Sequence, residues 1–139
     1  MAKKGKKVAV STEVTWDGDD ILAQLAKDVR RRLSTSAIQY QRAVKQELSK
    51  MGTGRKYLRT GAQDHVASLP GRPPAPDTGT LRRSAQVDSS RLRKFIISIG
   101  SNLSYASYLE NPLGLNRPAW LPTLKRLRKR ILANFKGLI

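Results

Sequence analysis

The sequence predicts an α+β fold: a long N-terminal helix and a C-terminal helix packed on a small, mostly antiparallel sheet, with a long Pro/Gly-rich loop. Three observations carry that reading. From Asp20 to Met51 no proline occurs and apolar residues return every three or four positions. At Val8–Trp16, and again in KFIISIG at 94–100, apolar and other residues alternate with the period of a strand. Between these lies ASLPGRPPAPDTGTLRRS at 67–84, with four prolines and two glycines. Neither a helix interior nor a central strand accepts that run, because proline lacks the amide donor.

The elements follow in order. Residues 1–7 form a basic arm carrying Lys3, Lys4, Lys6 and Lys7. Val8, Val10, Thr12, Val14 and Trp16 make a half-buried strand, and Asp17-Gly18 turns the chain. Asp19 or Asp20 is the expected N-cap of the long helix, since a carboxylate there accepts from free first-turn amides. Leu22, Leu25, Val29, Leu33, Ser36 or Ala37, Tyr40, Val44, Leu48 and Met51 form its inward stripe, and Gly52 its stop. About 30 residues give a rod of ~45 Å, longer than one small core needs.

Residues 52–80 read as a long loop with a short extended piece at 65–69. Ser84–Asp88 and Lys94–Gly100 are expected to pair as a hairpin across Asp88-Ser89-Ser90, with Phe95, Ile97 and Ile99 on one face. A short helix is expected at 104–110 and a second loop at 111–118. Pro122 then sits in the first turn of the last helix, whose apolar stripe is Leu124, Leu127, Ile131 and Phe135. The 139 residues suit one domain with a modest core.

Composition narrows function. Lys and Arg total 27 against 10 acids, a formal charge of +17. Such a field favours polyanionic partners. No acid follows Glu110, whereas Arg117, Lys125, Arg126, Arg128, Lys129, Arg130 and Lys136 do. A solvated helix face is the bland account of that run. Arg82, Arg83, Lys125, Arg126, Arg128, Lys129 and Arg130, with the N-terminal lysines, are the candidate contacts to DNA or an acidic partner. The sequence carries no base-reading module such as a zinc finger or RNP signature. It also has no run of ~18 apolar residues to cross a membrane, and its basic start lacks the apolar stretch of a secretory signal.

Chemistry is harder to find. His65 is the single histidine and cysteine is absent, so no zinc set can be assembled. Ser68, Asp64 and Asp77 accompany His65, but co-occurrence of these residue types does not make a triad. Gly52-Thr53-Gly54-Arg55-Lys56 follows a helix and lacks the closing Lys-Ser or Lys-Thr of a phosphate loop, so a helix stop with a flexible loop is the preferred reading. The expectation is a non-enzymatic protein without cofactor, working by assembly or binding.

Three blocks carry a resemblance. His65–Ser84 resembles the signature of the tail-completion, or neck, family of long-tailed, siphovirus-type bacteriophages, which typically reads SAPGEPPAVDTGRLRASI. Ile99–Glu110, IGSNLSYASYLE, is similar to the family's VGTNVPYAPYLEFGT. Arg117–Leu124, RPAWLPTL, is similar to its RPFLRPAL. The chain departs at Asn111-Pro112-Leu113, where the family has Phe-Gly-Thr, and at Arg72, which replaces a frequent acid.

The resemblance implies a virion protein at the head–tail junction, made in the host cytoplasm. Its copies would form a homo-oligomeric ring between a head-closure or connector protein and the tail tube or tail terminator, with double-stranded DNA passing through the lumen. Ser68, Pro70, Gly71, Pro73, Pro74, Pro76, Asp77, Thr78, Gly79 and Leu81 are then the subunit-contact loop. Asp77 and Thr78 are expected to bond nearby backbone amides at the loop exit. Gly79 is expected to supply either a positive φ or room for a neighbouring backbone.

Overall fold

The computed structural model describes residue 15 and residues 17–138. The expected basic arm at 1–7 and most of the expected strand at 8–16 lie outside them. The described chain runs α1 (Gly18–Glu47), β1 (Lys56–Tyr57), β2 (His65–Val66), α2 (Thr80–Ser84), β3 (Gln86–Asp88), a 3-10 turn (Leu92–Lys94), β4 (Ser98–Gly100), α3 (Ala106–Glu110) and α4 (Trp120–Ala133). β1 pairs antiparallel with β2, and β3 with β4, as two separate two-stranded sheets. The expected α+β class is what the chain adopts.

The long helix is present but differs at both ends. Its N-cap position is Asp17, with Asp19 and Asp20 inside the first turn, where their charge favours the positive end of the helix dipole. It stops at Glu47, so Met51 is exposed rather than part of the stripe. Beyond Gly18 at its start, deep burial is confined to its C-terminal half: Ser36, Ala37, Tyr40, Ala43 and Val44, followed by Leu48. Leu22 is exposed.

The core is small. Tyr40, Ala43, Val44, Leu48, Ala119 and Leu127 form it, with Leu81, Ile99, Trp120 and Ile131 packed around them. Tyr40 and Trp120 meet edge to face at 6.3 Å, and the Tyr40 hydroxyl donates to the Trp120 carbonyl at 2.7 Å. Burial, and then the nearby Glu110 charge, push the Tyr40 phenol up to about 12. On α4 the inward face is Thr123 and Leu127, and Leu124 is exposed. The expected stripe is therefore offset by one position at its start. Pro122 does lie in the first turn.

The hairpin between β3 and β4 has the expected partners, with Val87 opposite Ile99. Its second strand begins only at Ser98. Phe95, expected to continue the strand, adopts a left-handed conformation (φ +59°) that closes the 3-10 turn.

Residues 52–80 are also not one loop. Gly54 donates to the Ala67 carbonyl at 2.7 Å and Ala67 donates to the Arg55 carbonyl at 2.9 Å, extending the β1–β2 pairing. A Cβ on Gly52 would lie 2.2 Å from the Val66 carbonyl oxygen, and one on Gly54 would lie 2.8 Å from that of Ala67. These glycines therefore serve close backbone approach, not a flexible helix stop.

Candidate assembly loop

The loop from Ala67 to Gly79 lies against the body and is pinned at three places. Its start is held by the Gly54–Ala67–Arg55 bonds, and Ser68 is buried. Its middle is held where the Gly71 amide donates to the Asn116 carbonyl at 2.8 Å in the second loop, with Gly71 at φ +78°. Its end is held by Asp77, whose carboxylate receives both guanidinium nitrogens of Arg59 at 2.5 and 2.7 Å. This two-point fork fixes orientation as well as distance.

Pro73, Pro74 and Pro76 are half-buried, whereas the tip from Leu69 to Arg72, including Pro70 and Gly71, is exposed. Fixed φ at the prolines leaves few conformations to lose when this segment meets a partner.

Two expected roles change. Asp77 bonds Arg59 rather than local amides, because an arginine fork facing the carboxylate outcompetes a single amide. The Arg59 guanidinium beside Asp77 holds that carboxyl below its usual range. Thr78 likewise bonds the Thr80 hydroxyl at 2.7 Å instead of an amide, and its carbonyl accepts from Arg83 at 3.1 Å. Gly79 takes the positive-φ alternative, at +76°, directly before α2. Leu81 turns in toward the core from that short helix.

Beneath the loop is a cavity of about 420 Å³, walled by Pro74, Pro76, Tyr57, Tyr105, Leu109 and Leu115 among others. Ser68, His65 and Asp77 all reach its wall. Among the described residues no hydrogen bond joins them; Asp77 is engaged by Arg59 and His65 stacks on Tyr57 at 6.4 Å.

Of the cations singled out, Arg82 reaches the Ser49 hydroxyl at 3.2 Å and Arg126 bridges Glu47 at 3.2 Å. Lys125, Arg128, Lys129 and Arg130 are exposed on α4. Lys3, Lys4, Lys6 and Lys7 lie outside the described residues.

Sequence reasoning passed over Arg59, Asn116 and Glu110. Glu110 is the most consequential of them. Its carboxylate accepts from the amides of Ala119 (2.8 Å), Trp120 (3.0 Å) and Leu121 (2.9 Å), and so caps α4 from outside. A signal existed. The residues before α4 are Arg117-Pro118-Ala119, none of which can cap, and Glu110 is the last acid of the chain.

Comparison with known proteins bears on this geometry. The family model described as "Bacteriophage HK97-gp10, putative tail-component" matches residues 2–111. Neither the curated proteins nor the solved structures include a match. The match spans well over half of the chain, which therefore belongs to this HK97-gp10-like family of bacteriophage tail components. As such it is a structural protein of the virion, in contact with other virion proteins. The matched stretch holds α1, both hairpins, the pinned loop and Glu110, and ends at the first residue of the second loop.

Proposed function

We propose that this chain is a tail-completion subunit of the head–tail connector. Copies would close into a ring that joins the capsid connector to the tail and surrounds the DNA path, with no catalytic step. The family supports a tail component, and the pinned loop supports the ring. A segment fixed at Ala67, Gly71 and Asp77 but exposed from Leu69 to Arg72 is preorganised to meet a neighbour at low entropic cost. Identical copies meeting head to tail close a ring when the rotation per subunit divides the circle.

Gly79 offers the test. Valine at φ +76° is strained whatever the space around it; the Arg83 guanidinium 3.0 Å from its Cβ can swing aside, so it is the backbone of the loop exit that is disturbed. Gly79→Val is expected to leave a soluble subunit that fails to assemble, read as loss of infectious particles. Normal virion yield from that variant would refute the loop's role.

A further inference from the structure

Basic residues of three segments, distant in sequence, gather around one turn of α1. Lys27, Arg30, Arg31 and Arg32 lie on α1, Arg91, Arg93 and Lys94 at the tip of the β3–β4 hairpin, and Lys136 just beyond α4. Two contacts enforce the meeting. The Arg30 guanidinium lies over the Phe95 ring, 5.3 Å from its centroid, which sets the hairpin tip on α1. Arg32 donates to the carbonyls of Asn134 at 3.0 Å and Lys136 at 2.5 Å, which sets the end of α4 on the same turn.

Neutralisation is sparse there. Asp28 on α1, shared by Arg31 and Arg32, and Asp88 at the hairpin, beside Arg91, are the acids that face these eight cations among the described residues. Lys27, Arg31, Arg91, Arg93, Lys94 and Lys136 are exposed. The Nε of Arg30 is buried without a hydrogen-bond partner. Gathering like charges from three elements is unfavourable in the isolated subunit, and a polyanion would offset it.

We infer that this cluster binds the phosphate backbone of duplex DNA. Three of its six exposed cations are arginines, whose planar fork matches phosphate oxygens in pairs. A duplex presents a charge about every 1.7 Å along its axis, a density that suits cations spread over three elements. Binding of this kind is indifferent to sequence and strongly weakened by salt. The inference is independent of ring formation, since it concerns a surface of the single subunit.

The test is a salt titration of the full chain against a labelled duplex, followed by fluorescence anisotropy. Arg93→Gln with Lys94→Gln removes two charges from the hairpin tip. Arg82→Gln with Arg126→Gln removes two beside Ser49 and Glu47, the far end of α1. For the hairpin pair, the slope of log affinity against log salt should become shallower by about 1.8, or about 0.9 for each phosphate no longer neutralised. The slope of the second pair should stay close to wild type. Lys27→Gln with Lys136→Gln, which alters two other elements of the same cluster, should reproduce the hairpin result. Circular dichroism confirms that each variant is folded. Three results would overturn the inference: no binding by wild type at low salt, equal losses of affinity in all three pairs, or binding to an acidic polypeptide but not to the duplex.

Discussion

Where α1 meets α4, Val44 and Leu48 are sealed behind Tyr40 and Leu127, and order comes from apolar burial. Across residues 52–79, order comes instead from a few polar pins and two glycines that let backbones touch. Apolar burial is collective, so damage to the first region should unfold the subunit. The pins act singly, so damage to the second should loosen the loop and spare the core.

Leu48→Ala should break the contrast most severely. Leu48 is 2 % exposed, and its truncation is expected to cost about 2–5 kcal/mol, read as a cooperative loss of stability in urea. Gly52→Ala should follow. A Cβ 2.2 Å from the Val66 carbonyl forces strands apart and is expected to cost about 1–3 kcal/mol. Hydrogen exchange should show the opening confined to β1 and β2; uniform deprotection would erase the distinction between the regions.

Glu110→Gln removes the charge that caps three amides of α4, at an expected cost of about 1–3 kcal/mol. Tyr40→Phe, which loses one hydrogen bond, should cost about 1 kcal/mol. It should also change the alkaline limb. The folded phenol ionises at about 12 and its reference value is 10.0, so its contribution is complete below pH 10.0 and is lost as pH rises through about 12. Alkaline unfolding in that window should be flatter in Tyr40→Phe than in wild type.

The Arg59–Asp77 fork should give the smallest effect on global stability, because both side chains are partly exposed. Asp77 is lowered from 3.8, chiefly by the Arg59 hydrogen bond, so the fork's contribution is present above pH 3.8 and lost as pH falls through the lower folded value. The Arg59 guanidinium protons should be protected at neutral pH and exposed in that acid window. Asp77→Asn should expose them throughout while leaving the melting transition nearly unchanged.

The same division explains what could be read from the sequence. α1, α4 and the β3–β4 pairing follow from periodicity, which one-dimensional sequence records. Their boundaries were harder to place. Thr123 rather than Leu124 faces inward because Asn134, Thr123 and Leu127 share the side of α4 that meets α1, where Asn134 bonds Ser36 and Gln39. The pins of the loop are pairings across 18 residues for Arg59–Asp77 and across the second loop for Gly71–Asn116, and no local pattern announces them. Gly52 and Gly54 look like a helix stop in sequence because nothing there reveals the approaching Ala67 backbone. The proline-rich signature, by contrast, is legible as a motif without its geometry.

Electron microscopy of phage particles in which this chain carries a bound antibody fragment tests the connector reading most directly. Label at the head-proximal end of the tail, repeated around the tail axis, is the predicted result. Label along the tail shaft, at its distal tip, or as a single copy off the axis would contradict it.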